Sequence, residues 1–422
     1  MLFSQVRFIS KGWVDLLYIR PKFFFKYYGF YWVHPLPGNW MYLPWAGMIL
    51  SLVFIILGKY YRAAITVFFL LFSYTELLDL TNYLNHYYLI TLLSFIMIFL
   101  PMNASFSLDA KKKKLKPMVF VPRWTLSVLR LQVGLVYFFA GLSKIKYDWL
   151  IRAEPLKIWL GTCENIPLIG KLLAMGITAY LFSWIGMLFD LTAPFLLLSE
   201  KTRKYEYAVI VLFHLMTLWL FYIGMFPLVM MGVALVFFSP AFHRRVLEKC
   251  FFFLQSRPSV AMKEFSFTGS RKVFAGLFGL YFLWQLCMPL RYLLYKGNVL
   301  WTEQGYRYAW NVMLMEKDGY AEFKIKDKTT GNEYMEFPRK YLTALQEKMM
   351  STQPDMLLQY AHFLAGKYLQ KLHHPVEVYV YSYVSLNRRP GQIFIDPETD
   401  LSKEKDSFLP KRWILPGKNF SP

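Results

Sequence analysis

The sequence predicts a polytopic α-helical membrane protein with a C-terminal extramembrane α+β domain. Three observations carry that expectation. Of 422 residues, 56% are hydrophobic and only 18% charged, which is more apolar length than a soluble core uses. Apolar runs of helical length recur between about residues 41 and 290, separated by short basic loops. After Arg291 the pattern changes to alternating strands, turns and an amphipathic helix. The formal net charge of +21 lies largely in loops beside the apolar runs. There it fixes topology and meets anionic lipid headgroups, so membrane lipid is an expected partner and nucleic acid is not. Cys163, Cys250 and Cys287 are isolated and form neither a CxxC pair nor a Cys/His zinc spacing. No metal site or disulfide framework is expected.

In chain order, residues 1–40 read as an interfacial segment. Arg7, Lys11, Arg20, Lys22 and Lys26 interrupt every apolar run, among Phe23–Phe25 and Tyr27–Tyr28. Residues 41–290 form the transmembrane domain. Helices are expected at about 41–57, 63–78, 87–102, 124–143, 172–198, 205–223, 226–238 and 273–290. Several are short enough to tilt, break or enter only part of the bilayer. With these helices, the basic loops 58–62 (GKYYR), 109–123 (DAKKKKLKPMVFVPR), 200–204 (EKTRK) and 243–272 all fall on one side, the cytoplasmic one. The outer face then carries the loop around Asp79–His86, the loop after Lys144, the turn Gly224–Phe226 and everything after Arg291. The basic N-terminal stretch is stranded outside. One more helix encoded upstream of Met1 is therefore expected; no cleavable signal peptide is visible.

Residues 291–422 form the extramembrane α+β domain. Tyr320–Asp327 (YAEFKIKD) alternates, Thr329–Asn332 (TTGN) turns, and Glu333–Phe337 continues as a hairpin. Thr343–Leu372 has helical periodicity, restarted at Thr352–Asp355. Val376–Leu386 and Gln392–Asp396 read as further strands.

Polar groups inside apolar helices usually face an interior. Lys144 closes the run Leu129–Trp149 and has two readings. One is a lysine snorkelling to the membrane surface; the other is a partly buried amine kept neutral so that it acts as a base. Asn85 and His86 open the third helix and either cap it or face a site. His214, in the sixth, lies ten residues before Gly224, about 15 Å below the outer surface at helical rise. Asp190 lies deep in the fifth, where pairing with a neighbouring backbone or basic group is the plainer role. His243, His373 and His374 sit in polar loops, and His34 and His362 have no distinguishing context.

Several motifs recur in order: NWMYLPW (39–45), D-x-T-x-x-x-N-H-x-Y-L from Asp79 to Leu89, AGLSKIKYDW (140–149), FDL (189–191), FH (213–214) with IGMF (223–226), and YRYAW (306–310). In these the chain resembles the vitamin K-dependent gamma-carboxylases, with their horizontally transferred transmembrane domain, from about Lys22 to Leu415. The resemblance implies that Lys144 is the base acting on vitamin K hydroquinone, that Asn85 and His86 are an active-site pair, and that His214 is the helix histidine. It puts Tyr306 and Trp310 near glutamate binding and, more loosely, Arg389 in the substrate region. Asp79, Asp148, Trp149 and Asp190 support them. The implied reaction couples oxidation of the hydroquinone by O2 to the epoxide with carboxylation of glutamate by CO2 in a protein or peptide substrate. A glutamate γ-proton is too weakly acidic for any side-chain base, and the coupled oxidation supplies a stronger one. The short C-terminus and the missing cysteine counterpart of the animal disulfide point to a bacterial-type homologue. It is expected in the inner membrane rather than the endoplasmic reticulum, with its C-terminal domain on the non-cytoplasmic side. The alternatives are a quinol epoxidase-like homologue with no or a different carboxylation substrate, and a non-enzymatic scaffold or transporter. No inverted repeat supports the transporter.

Overall fold

In hydrocarbon every backbone polar group needs an internal partner, so the apolar runs fold as helices. The computed structural model describes residues 1–104, 107–112, 122–221, 223–250 and 271–418. Its membrane region contains α1 (Leu2–Ser10), α2 (Leu43–Leu57), α3 (Tyr61–Leu77), α4 (Asn85–Ile98), α5 (Leu108–Lys112), α6 (Arg123–Ser143), α7 (Tyr147–Leu150), α8 (Leu156–Gly161), α9 (Gly170–Ala174), α10 (Gly176–Leu198), α11 (Arg203–Leu220), α12 (Phe226–Ala234), α13 (Pro240–Cys250) and α14 (Arg271–Leu290). Each of the expected apolar stretches is largely helical, with some bounds changed. Among the described residues, four helices are long and apolar enough to cross a bilayer, or five if the pair Phe226–Phe237 and Pro240–Cys250, bent by 119°, is one span. The chain is a multi-pass membrane protein. At 1.5 Å per residue α3 is about 26 Å long and α4 about 21 Å, both short of the ~30 Å hydrocarbon thickness.

The departures from expectation have local causes. Residues 172–198 do not form one helix: Met175 takes extended angles and separates α9 from α10. The sixth helix ends at Leu220, where Phe221 becomes extended. The stretch 226–238 tightens to a 3-10 turn and then bends sharply at Phe238, before Pro240; Ser239 precedes that proline and is disfavoured from continuing a helix. At the end of α2, Gly58 takes φ +61°, and its N–H reaches the Ile55 carbonyl, the left-handed stop that glycine allows without strain.

The C-terminal domain holds α15 (Val299–Thr302), β1 (Lys317–Lys326), β2 (Glu333–Glu336), α16 (Ala344–Met350), α17 (Pro354–Leu372), β3 (Glu377–Leu386) and β4 (Gln392–Ile393). Its sheet has the order β2-β1-β3-β4 and is antiparallel throughout. Alternation places Phe323, Ile325, Val378, Val380 and Val384 on one face, buried in one cluster with Leu357, Tyr360 and Leu364 of α17. The hairpin turn is held by Asp327, whose carboxylate accepts the Thr329 N–H at 2.8 Å. Thr343 and Gln346 form a capping box that starts α16.

This domain covers the end of the bundle that holds Lys144. Its core cluster runs on into Trp149, Leu156 and Leu80, and also takes in Phe25 and Tyr27 from the N-terminal segment. Lys26 and Gln359 exchange two hydrogen bonds, at 2.8 and 2.9 Å, and Tyr31 donates to Asp406 at 2.5 Å. Residues 23–33 are thus docked on the C-terminal domain, an association that composition could not suggest. The basic loops 58–62 and 200–204 lie at the opposite bundle end, since α3 and α11 start there and run toward the C-terminal domain. Residues 113–121 of loop 109–123 and 251–270 of loop 243–272 lie outside the described residues.

Candidate active site

The site begins where α6 and α10 cross antiparallel. A Cβ at Gly141 would lie 2.6 Å from the backbone nitrogen of Leu191, so only glycine allows this approach. One residue past α6, the Lys144 side chain turns back along the helix. Its ammonium nitrogen donates to the Ala140 carbonyl at 3.2 Å and to Asp190 Oδ2 at 2.7 Å. The two side chains keep only 7% and 9% of their surface. The Trp149 ring lies 5.5 Å from the Lys144 nitrogen. This geometry removes the snorkelling reading, since the amine points into the bundle. Asp190 does pair with a basic group, and that group is Lys144 itself. Pro194, inside α10, has no N–H to donate to the Asp190 carbonyl.

Lys144 and Asp190 line a cavity of about 70 Å³ together with Tyr137, Trp149, Phe182, Phe213, His214 and Phe226. The Tyr137 hydroxyl and His214 Nε2 are 3.2 Å apart. His214 Nδ1 is buried and has no partner among the described residues. Because α11 stops at Leu220, His214 sits six residues, about 9 Å, from its helix end rather than about 15 Å. The Phe226 ring lies 6.1 Å from His214 and 6.0 Å from His86, linking the two imidazoles through one aromatic contact.

Asn85 does not cap α4; Leu84 is the cap residue and makes no side-chain cap bond. Asn85 instead donates to the Asn311 carbonyl at 2.9 Å and accepts from the Tyr83 hydroxyl at 3.0 Å. Asn311 in turn donates to the Tyr306 carbonyl at 2.8 Å. The loop holding Tyr306 and Trp310 is thereby fixed over the membrane helices. Trp310 is buried and stacks on Tyr88 at 5.1 Å, its carbonyl accepts from Ser143 at 3.4 Å, and its indole N–H has no partner among the described residues.

Asp148 and Arg389 join the two domains. The guanidinium makes two bonds to the carboxylate, at 2.7 and 2.5 Å, and Asn387 adds a third at 2.9 Å. Burial pushes the Asp148 carboxyl up, but Arg389 and Asn387 outweigh it and hold the group below its ordinary value. Arg389 is therefore committed to Asp148 in this arrangement. Trp149 donates to the Ser183 carbonyl at 2.8 Å, and the Ser183 hydroxyl donates back to the Trp149 carbonyl. Asp79 accepts from the Thr81 N–H at 3.0 Å and from Gln346 of α16 at 2.9 Å. These acids hold the fold around the cavity.

Tyr137 escaped the sequence reading although a signal existed. Residues 137, 140, 141 and 144 stand at i, i+3, i+4 and i+7 and share one helix face. Asn311, Asn387 and Gln346 had no comparable signal, since each acts across more than two hundred residues.

Chemically, the cavity offers an amine, a carboxylate and an imidazole whose Nδ1 has no partner among the described residues, set in largely aromatic walls. That suits a flat apolar ring carrying hydroxyl groups. A cavity of about 150 Å³ holds benzene, so a two-ring compound enters only as flexible walls such as Met216 and Met313 move aside. No solved structure matches the chain. The family model of the HTTM domain matches residues 1–242, more than half of the chain. That of the vitamin K-dependent gamma-carboxylase lumenal domain matches residues 270–419, which include Arg389 and the loop of Tyr306 and Trp310. The two matches, in this order and over this bundle and sheet domain, establish that the chain belongs to the vitamin K-dependent gamma-carboxylase family.

Proposed function

We propose that the protein is a peptidyl-glutamate carboxylase that couples oxidation of vitamin K hydroquinone by O2 to the addition of CO2 to glutamate side chains. The observation that carries this reading is the buried Lys144–Asp190 pair at 2.7 Å in the wall of an aromatic cavity. A buried ion pair contributes little to stability, and replacing it with apolar side chains is often neutral or better. Its presence in a membrane bundle therefore argues for chemistry. The hydroquinone, oxidised by O2, supplies the strong base that the glutamate γ-proton requires. Asp190 Oδ2 accepts the Lys144 proton, and the freed amine takes a hydroxyl proton from the ring compound in the cavity. His214 is held by Tyr137 through Nε2, lines the same cavity, and keeps Nδ1 without a partner among the described residues. Phe213, Phe226 and Trp149 keep water out. The C-terminal domain faces the non-cytoplasmic side, a reading supported by the basic loops 58–62 and 200–204 at the far end of the bundle, and a bacterial inner membrane is the proposed location.

The test uses purified protein in detergent with reduced vitamin K, O2, CO2 and a glutamyl peptide, following epoxide and carboxyglutamate separately. Lys144→Ala and Lys144→Arg are expected to lose both products, the second because a guanidinium stays protonated. Wild-type-like epoxide formation by a folded Lys144→Arg protein would remove Lys144 from the mechanism. Epoxide without carboxyglutamate in the wild type would leave a quinol epoxidase.

A further inference from the structure

Arg291 follows directly on α14 and is half-buried. Other arginines in and around the membrane bundle are satisfied by oxygen. Arg307 is held by Asp355 and Gln353, Arg389 by Asp148, Arg130 by the Val236 and Phe237 carbonyls, and Arg203 by those of Leu197 and Leu198. Arg291 differs. Among the described residues its side chain meets the Met288 sulfur at 3.7 Å and the Tyr308 ring, 5.8 Å from its central carbon. Among the described residues no carboxylate pairs with it. A guanidinium has five donors in a planar fork, and withdrawing it from water without an acceptor is unfavourable. A ligand carboxylate relieves that deficit with two parallel bonds.

The surroundings are built for a ligand. Tyr308 meets Tyr83 at 5.2 Å and Tyr88 at 4.9 Å, and Tyr88 stacks on Trp310. These rings form an aromatic wall beside the guanidinium. The segment that supplies two of them is strained: Tyr308, Trp310 and Met313 all have positive φ, at 61°, 57° and 55°. Three such non-glycine residues within six positions persist only when the surroundings hold them, and they concentrate at ligand sites. The same segment runs from Arg291 to the reaction cavity, because Val312 and Met313 line that cavity. One end of the loop touches the Arg291 guanidinium and the other touches the Lys144 pocket.

We propose that Arg291 binds the side-chain carboxylate of the substrate glutamate against Tyr308 and Tyr88, presenting its γ-carbon toward the cavity. The proposal rests on the carboxylase reading for the identity of the ligand. Pairing the carboxylate with a cation also offsets the second negative charge that develops when the γ-proton leaves.

The experiment measures binding, not turnover. A labelled peptide with one glutamate among neutral residues is titrated into the full-length protein, alongside its glutamine twin. Wild type is expected to prefer the glutamate peptide by roughly 10- to 100-fold, the range of a charge-assisted bidentate contact. Arg291→Gln should bring that ratio to within about twofold, and Arg291→Lys should restore part of it. Thermal unfolding of each variant reports the fold. Undiminished preference in a folded Arg291→Gln, or no preference in the wild type, overturns the proposal; Arg291 is then an interfacial anchor packed on Tyr308. An Arg291-dependent preference in a protein that forms no carboxyglutamate supports the carboxylate site and sinks the carboxylase reading instead.

Discussion

Replacing both members of the central pair, Lys144→Met with Asp190→Leu, should give a protein at least as stable as the wild type and inactive. At an effective dielectric of about 20, unit charges 2.7 Å apart attract by about 6 kcal/mol. Desolvation removes several kcal/mol per ion, so the intact pair is close to neutral for stability. The single substitutions behave differently. Asp190→Leu leaves an ammonium facing aromatic walls with only the Ala140 carbonyl as acceptor. Lys144→Met leaves a buried carboxylate with no cation beside it. Breaking such a pair costs about 3–5 kcal/mol, moderated where the orphan sheds its charge. The double variant orphans nothing and is expected within about 1 kcal/mol of wild type, or more stable by up to about 4 kcal/mol. Thermal unfolding of the four proteins in one detergent gives the coupling directly. Destabilisation of the double variant equal to the sum of the singles would refute the argument, because the two groups would then be satisfied independently. Epoxide formation by the double variant would refute the catalytic half.

Gly141→Val should force α6 and α10 apart, lowering stability by about 1–3 kcal/mol and epoxide formation with it; thermal unfolding and epoxide yield check both. Lys146→Ala should keep substantial activity, since Lys146 lies over the Tyr292 ring at 4.8 Å, outside the cavity lining. Burial pushes Asp148 and Asp355 up, but Arg389 and Arg307 more than reverse it, and the Thr330 hydroxyl, with help from His374, brings Asp327 to about 2. Their contribution to stability is complete above the ordinary value of 3.8 and is lost as pH falls through the lowered values. Tryptophan fluorescence should report loosening of the C-terminal domain between about pH 4 and 2, and none between pH 7 and 5. Protease added to right-side-out vesicles should cut within residues 387–412; protection until permeabilisation would reverse the orientation.

The helices were legible because long apolar runs have one solution in a bilayer. The hairpin was legible because alternation and TTGN name their own geometry. Residues 140–149 marked Lys144 as a candidate, but not its partner. Asp190 is 46 positions from Lys144, and no local pattern pairs two residues on separate helices. The direction of Lys144 was equally hidden: a lysine at a helix end can turn out or in, and Gly141 decides by letting α10 approach. The Asp148–Arg389 and Asp79–Gln346 links span 241 and 267 positions. Each acid was expected to support the site, but its donor lies too far along the chain for any local pattern to name it. Breaks at Met175 and Leu220 went unseen because the apolar composition continues through them.

The mutual hydrogen bonds of Lys26 and Gln359 join positions 333 residues apart. During synthesis at about 5–20 residues per second, the first of these partners waits about 17–67 s for the second. Phe25 and Tyr27 wait with it, without the core they enter in the finished protein. Long-range closure of this kind comes late and leaves apolar surface open meanwhile. Completion of α17 is thus the event that seals the N-terminal segment, and a ribosome stalled before residue 359 would leave a chain with inserted helices and an unsheltered aromatic edge, a natural substrate for membrane quality-control proteases.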